Sequence, residues 1–176
     1  AVYWIEAKHN DHLANSLGST FDWSIDNSTK FQVGLQLANN KGYHYSTMED
    51  LLGGAYFHNV NTYAQGRYAS NDSEIQYDLN NPNAVVKEGD KFGYDYNILV
   101  DKADFWATYS GTFAGMHGYI SGRVGGTQMQ RDGKMRNGRA PHNSYGKGET
   151  HRFDNGMVKV GATYKLDGRN SFTFHG

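Results

Sequence analysis

The sequence contains no cysteine, and no window in it offers the long apolar run that a membrane-spanning helix needs. The absence of cysteine excludes thiolate metal sites, thiol catalysis and disulfides, and it leaves the redox compartment open. The net charge of −1 gives no overall attraction to nucleic acid. Nucleic acid is therefore not an expected partner, and a helical membrane span is excluded.

Aromatic residues and glycine stand out against this background. Only 38% of the residues are apolar, yet 14% are aromatic, which is too many for a disordered segment. The 22 glycines and two prolines suit a β protein with tight turns and close backbone approaches. The composition therefore favours an all-β fold for this chain of 176 residues.

The clearest pattern is an alternation of apolar and polar residues with a period of two. It occurs in residues 17–25, 31–37, 105–113, 116–124 and 158–166, and Phe172 and Phe174 begin a sixth run. Strict alternation is typical of a β-strand with one apolar and one polar face. The sequence therefore predicts about six antiparallel strands.

The connections between these runs alternate between short and long. Short ones are expected at 27–28, 114–115 and 167–170, and long ones at about 39–91 and 132–150. This spacing requires residues 92–113 to form one strand, although residues 101–104 resemble a turn. Short helices are expected at residues 47–54 and after Asn61. Alternation of tight turns with extended loops is typical of outer-membrane barrels, whose long loops are extracellular.

Charged residues follow the polar phase of the predicted strands. Asp22, Arg123, Lys159 and Lys165 all alternate with the apolar side chains. A charge on a lipid-facing position near mid-bilayer would cost roughly 2 to 4 kcal/mol. These four residues are therefore predicted to face the lumen of a barrel, although a half-solvated soluble sheet would show the same pattern.

Four strings resemble sequences of TonB-dependent receptors of Bacteroidetes. They are YSTMEDLLGG at 45–54, YDLNNPN at 77–83, KEGDKFGYDY at 87–96 and RDGKMRNGR at 131–139. The resemblance covers most of the chain. It implies a transmembrane β-barrel of 22 strands that holds a plug domain, with a carboxypeptidase-regulatory-like domain expected upstream.

The same resemblance implies a location and a set of partners. Residues 1–176 would be an interior part of the barrel, about six strands, with no plug domain among them. The protein would lie in the outer membrane of a Gram-negative bacterium and import an unknown ligand. Its partners would be outer-membrane lipid and, through parts of the full-length protein outside these residues, the TonB complex. No cofactor and no family functional residue is implied for this chain.

Candidate ligand-binding residues lie in the two expected loops. Tyrosines could stack on a sugar or another ring, and arginines could bind an anionic group. The candidates are Tyr43, Tyr45, Tyr56, Arg131, Arg136 and Arg139. In the alternative interpretation, the aromatic residues pack a loop onto the barrel rim and the arginines attract the acid-rich longer loop.

Enzymatic and metal-binding functions find little support. The eight histidines show no spacing that fixes metal-ligand geometry, so no metal site is predicted. No nucleophile elbow, zinc-protease helix or phosphate-binding glycine loop is present, and no catalytic residue is assigned. The main alternative function is a soluble β-sandwich that binds carbohydrate, and another is a small complete barrel.

Overall fold

A computed structural model describes residues 3–69 and 72–176 of the chain. Six strands form one antiparallel sheet in the order β1-β2-β5-β6-β7-β8. Two short strands, β3 and β4, pair with each other in a separate sheet. The strands are β1 Ile5–Ser24, β2 Lys30–Asp50, β3 Phe57–His58, β4 Val85–Val86, β5 Lys91–Phe113, β6 Met116–Gly133, β7 Gly146–Lys165 and β8 Ser171–His175. The predicted all-β class and the six-stranded antiparallel sheet are confirmed.

The chain divides into two compact units. The loop unit comprises Ala1–Ala14, Asn40–Val100 and Met129–His151, and it contains both long connections, residues 51–90 and 134–145. The turn unit comprises Asn15–Asn39, Asp101–Gln128 and Arg152–Gly176, and it contains the three short connections. Five of the six sheet strands contribute residues to both units, and the predicted alternation of short and long connections is present.

The short turns are built by local hydrogen bonds. In the β1–β2 turn, the Ile25 amide donates to the Thr29 carbonyl at 3.0 Å, and the Asp26 carboxylate accepts the Ser28 amide at 2.7 Å. The β7–β8 turn repeats this arrangement, with Leu166 donating to Asn170 at 3.0 Å and Asp167 accepting nearby amides. Asparagine, serine and aspartate favour such turns because their side chains bond to neighbouring backbone groups.

The β5–β6 connection is a two-residue turn. Ala114 and Gly115 have φ angles of 51° and 80°, as a tight hairpin whose twist matches its strands requires. The preceding strand β5 is unbroken from Lys91 to Phe113, so residues 101–104 lie in a strand rather than a turn. Both predictions are confirmed.

The strands extend further than the alternation pattern predicts. β1 begins at Ile5, and β2 continues to Asp50, so the first long connection spans 51–90 rather than 39–91. The second spans 134–145 rather than 132–150. These longer strands carry polar residues on both faces, which removes the apolar alternation from the sequence.

Of the two helices predicted from capping signals, one is present. α1 spans Thr62–Gln65, and the Asn61 carboxamide oxygen accepts the amides of Tyr63 and Ala64 at 3.1 Å. A 3₁₀ helix also forms at Ser73–Ile75. Within the described residues, neither helix is long and apolar enough to cross a membrane.

The helix predicted at 47–54 is wrong, because these residues end β2 and then turn. The Thr47 hydroxyl is 2.8 Å from His9 Nε2 and 2.5 Å from the Glu49 carboxylate, so it caps no helix. Met48 is buried in a cluster with neighbouring segments of the loop unit, and this packing requires an extended backbone. Tertiary packing therefore overrides the local capping pattern.

Two apolar clusters stabilise the loop unit. One contains Met48, Leu51, Phe57, Val86 and Phe92, and the other contains Val60, Ala64 and Ile75. The long connection 51–90 thus has its own core. Gly138, in the second long connection, lies so close to the Ser73 carbonyl that a side chain there would clash with it.

Candidate functional site

The turn unit has one apolar and one polar face. In the β7–β8 register, Tyr164 is opposite Phe172, and Thr163 is opposite Thr173. Directly opposite residues of antiparallel strands project from the same face, and successive residues project from opposite faces. The apolar and polar phases read from the sequence therefore correspond to two faces of this part of the sheet.

The apolar face is large and exposed. Its big side chains retain between 38% and 82% of their accessible surface. They are Leu17, Phe21, Trp23, Ile25, Leu35, Leu37, Phe105, Tyr109, Phe113, Met116, Ile120, Val124, Val158, Val160, Tyr164, Leu166, Phe172 and Phe174. Soluble monomers rarely expose large contiguous apolar patches, and such patches are typical of surfaces that contact a protein or a membrane.

The polar face carries hydrogen bonds between neighbouring strands. Thr108 and Ser121 are 2.7 Å apart, and Thr163 and Thr173 are 3.2 Å apart. Side-chain contacts continue across the sheet at Asp22–Gln32, Gly34–Trp106, Thr112–His117 and Tyr119–Gly161. The predicted lumen-facing residues Asp22, Arg123, Lys159 and Lys165 all share the phase of this face.

A buried ion pair lies on the same polar face. The Asp104 side chain is only 1% exposed, and Arg123 reaches it with Nε at 3.1 Å from Oδ1 and Nη2 at 2.8 Å from Oδ2. Lys102 Nζ also lies near this carboxylate, 3.4 Å from Oδ2. A side chain at Gly125 would collide with the Asp104 carboxylate, so this glycine makes room for it. The sequence pattern predicted Arg123 to be lumen-facing but did not single out Asp104, which lies in the part of β5 whose sequence resembles a turn.

Tyr45 and Tyr43 lie in β2 and not in a loop. Tyr45 stacks on His9 at 4.4 Å, donates a hydrogen bond to the Asp11 carboxylate at 3.2 Å, and has Lys91 Nζ 4.1 Å above its ring. Partial desolvation, and then the Asp11 carboxylate, raise the pKa of Tyr45. The ring of Tyr43 lies 4.8 Å from Lys41 Nζ.

The arginine candidates are engaged within the loop unit. The Arg131 guanidinium stacks 4.7 Å from the Tyr96 ring and donates to the Ser144 carbonyl at 2.8 Å. The Arg136 side chain donates to the Pro141 carbonyl at 2.9 Å, and its amide donates to the Asp78 carboxylate at 3.0 Å. Both guanidinium groups therefore bond to carbonyls of the connection 134–145, and the Arg136 backbone amide contacts the longer one.

The remaining two candidates are more exposed. Tyr56 is exposed and lies edge-on to His58 at 5.1 Å. Arg139 is exposed, and its amide donates to the Asn137 carboxamide at 2.9 Å. The structure does not assemble the six predicted ligand-binding residues into one site. Tyr43 and Tyr45 project from the face of β2 opposite to that of Ser46, which lines the cavity described next.

A cavity of about 490 Å³ lies in the loop unit. Its lining combines several aromatic rings with an acid and a base: Trp4, Phe57, Tyr63, Tyr77, Phe92, Tyr94, Glu6 and Lys8. Burial, followed by the negative charge of Glu6, raises the pKa of Tyr77. Sequence reasoning noted the aromatic richness of this loop but did not single out Trp4, Tyr77 or Tyr94, because residues distant in sequence form the cavity.

Comparison with known proteins gives no relative for the chain. It matches no protein-family model, no curated protein and no solved structure. Functional inference for this protein therefore rests on the two surfaces described above, the exposed apolar face of the turn unit and the aromatic cavity of the loop unit.

Proposed function

We propose that this chain forms part of the wall of an outer-membrane β-barrel, and that the barrel is a TonB-dependent receptor that imports a ligand. The exposed apolar face of the turn unit carries this proposal. Leaving that face in water would cost about 25 cal/mol for each Å² of apolar surface. Contact with lipid removes this cost without requiring a protein partner.

The length of the apolar runs supports lipid contact. A transmembrane β-strand needs about 9 to 11 residues. The apolar phase of the turn unit runs through residues 17–25, 103–113 and 158–166, which lie in strands β1, β5 and β7 or directly follow them. These runs are close to the length that crosses the hydrocarbon layer, and the same strands continue as polar segments beyond them.

The distribution of charge supports the same orientation. Asp104 and Arg123 form their ion pair on the polar face, and Asp22, Lys159 and Lys165 share it. In a barrel with a polar interior, these groups keep water or protein partners, whereas the outward residues contact lipid. The Asp22 carboxylate accepts a hydrogen bond from Gln32 on that face.

The connections support an outer-membrane topology. Barrels of this class have short turns on the periplasmic side and long loops on the extracellular side. The turn unit contains the short connections, and the loop unit contains the long connections 51–90 and 134–145 with their own apolar core. The sequence resemblance to TonB-dependent receptors adds the expectation of energised ligand import.

Cell fractionation tests the membrane part of the proposal. An antibody against residues 131–139 is used to probe fractions of the source cells. We expect a heat-modifiable outer-membrane band several times larger than the 19.7 kDa of this chain. A soluble band of 19.7 kDa would contradict the proposal and favour the soluble binding module.

Growth experiments test the transport part. Strains lacking this gene or lacking TonB are grown on limiting supplies of iron complexes, vitamins, glycans and peptides. We expect the gene-deleted strain to grow poorly on one of the nutrients on which the TonB-deleted strain also grows poorly. If the gene-deleted strain grows normally on all four nutrient classes, transport of those nutrients by this protein is ruled out.

A further inference from the structure

We propose that the cavity of the loop unit binds an organic ammonium ion, which its aromatic rings surround and the Glu6 carboxylate neutralises. Trp4, Tyr63, Tyr77 and Tyr94 line this cavity together with Glu6. A cation is attracted to the negative face of an aromatic ring, and cages of several rings recognise quaternary ammonium groups. The proposal concerns a binding site and holds whether or not the chain belongs to a transporter.

Packing fixes the position of the ring at the base of the cage. The Trp4 ring lies 4.6 Å from that of Phe57, which is buried and lies 5.8 Å from the Phe92 ring. Tyr94 is in the sheet strand β5, and its ring is 6.0 Å from that of Tyr96. Because these contacts hold Trp4 and Tyr94 in place beforehand, the two rings lose little conformational entropy when a ligand enters.

Size and charge suit a small cation. The volume of about 490 Å³ lies within the roughly 300 to 1,000 Å³ of small-molecule sites. Glu6 supplies negative charge inside this lining, and its field contributes to the raised pKa of Tyr77. An ammonium ligand would meet both the carboxylate and the ring faces.

Lys8 would compete with a bound ammonium ion for the Glu6 carboxylate. Its Nζ lies 3.4 Å from Glu6 Oε1, and its side chain is 69% exposed. Because a surface ion pair of this kind is weak, a bound ammonium group can replace Lys8 at the carboxylate. The arrangement therefore makes two opposite predictions: removal of Glu6 weakens binding, and removal of Lys8 strengthens it.

Calorimetric titration of the purified full chain in a non-ionic detergent tests the proposal. The probes are choline and 3,3-dimethylbutanol, its neutral isostere. We expect choline to bind at least about tenfold more tightly, since both the ring faces and the Glu6 carboxylate attract its positive charge. Equal affinities for the two probes, or no choline binding, would overturn the proposal.

Variants test the assigned contacts. Glu6→Gln should weaken choline binding up to about fivefold, and Lys8→Met should strengthen it by a smaller factor. Tyr63→Leu should also weaken it, and because the Tyr63 side chain is 94% exposed, its loss should not disturb folding. Tyr145→Leu, which replaces an exposed tyrosine outside this lining, is the matched control and should leave the affinity unchanged. A change of the same sign in Glu6→Gln and Lys8→Met would refute the charge assignment.

Discussion

The loop unit and the turn unit treat their apolar residues in opposite ways. Every buried apolar side chain in the described part of the chain belongs to the loop unit, where Met48 is 0% exposed and Ile75 is 1% exposed. The turn unit leaves its large apolar side chains uncovered on one face. The same strands therefore contribute to one unit with an internal core and to another whose apolar face is uncovered.

The polar residues differ between the units in the same sense. In the loop unit, polar networks occur on both faces of the strands, for example Tyr45 with His9 and Asp11 on one face and Arg131 with Tyr96 on the other. In the turn unit, Asp22, Asp104 and Arg123 lie on the polar face, whereas the charges that share the phase of the apolar face, Asp101, Arg152 and Asp154, stand at the first residues of its segments Asp101–Gln128 and Arg152–Gly176. The proposed position of the turn unit in a bilayer predicts such a difference, and each prediction below tests one side of it.

The largest effect is expected in the core of the loop unit. Met48→Ala removes a fully buried side chain and should lower the free energy of unfolding by about 2 to 5 kcal/mol. Hydrogen exchange of amides in residues 51–90 measures this loss. Val85→Ala is the control, because the Val85 side chain is 53% exposed, and it should change stability by at most about 0.5 kcal/mol. Equal effects of both variants would contradict the assigned core.

A charge on the apolar face of the turn unit should be nearly as costly. Val160→Lys places an ammonium group on the proposed lipid face and should oppose insertion by about 2 to 4 kcal/mol near mid-bilayer. Thr163→Lys is the matched control, because Thr163 bonds to Thr173 on the polar face. The yield of folded protein in lipid vesicles measures both. Similar yields for the two variants would refute the assignment of the faces.

Breaking the ion pair of the polar face should lower stability by a smaller amount. Arg123→Met leaves the buried Asp104 carboxylate with Lys102 at 3.4 Å and should lower stability by about 1.5 to 3 kcal/mol. Lys159→Met, on the same face, serves as the control and should have little effect. Urea unfolding of the reconstituted protein measures the difference. An unchanged free energy of unfolding for Arg123→Met would show that the ion pair does not stabilise the fold.

The smallest effect is expected in the hairpin turns and depends on pH. Hydrogen bonds from Ser28 and Thr29 lower the pKa of Asp26, and bonds from Asn170 and Arg169 lower the pKa of Asp167. Because the folded pKa lies below the unfolded one, the stabilisation is full above the unfolded pKa and is lost as pH falls through the folded pKa. Amide protection factors at Ser28 and Thr29 should therefore decrease on acidification.

A matched variant isolates this turn effect. Asp26→Asn keeps a side chain that can accept the turn hydrogen bonds but cannot titrate. Its protection factors at Ser28 and Thr29 should not change with pH over the same range. If the wild type and Asp26→Asn respond identically to acid, the Asp26 carboxylate is not the titrating group.

The turn unit was largely predictable from the sequence, because one environment acts on each face. Residues 17–25 and 158–166 alternate clearly, since one face is apolar along its whole length. The turns at 114–115 and 167–170 were also recognisable from glycine, asparagine and aspartate. Local patterns suffice where each side chain meets either an apolar or a polar environment.

The loop unit was less predictable, because its strands lack such uniform environments. Residues 5–14 and 40–50 carry histidine, lysine, asparagine and tyrosine on both faces, and pairs such as His9–Tyr45 join neighbouring strands. No period-two apolar signal results. The cavity could not be predicted either, since Trp4, Tyr77 and Tyr94 meet only through the fold.

Fluorescence quenching by brominated lipid tests the central claim most directly. Trp23 lies on the exposed apolar face, and Trp106 lies on the polar face against Gly34. Two single-tryptophan variants, retaining either Trp23 or Trp106, are reconstituted into vesicles with lipids brominated on their acyl chains. The account predicts strong quenching of Trp23 and weak quenching of Trp106, whereas equal quenching, or none at Trp23, would contradict a lipid-facing apolar surface.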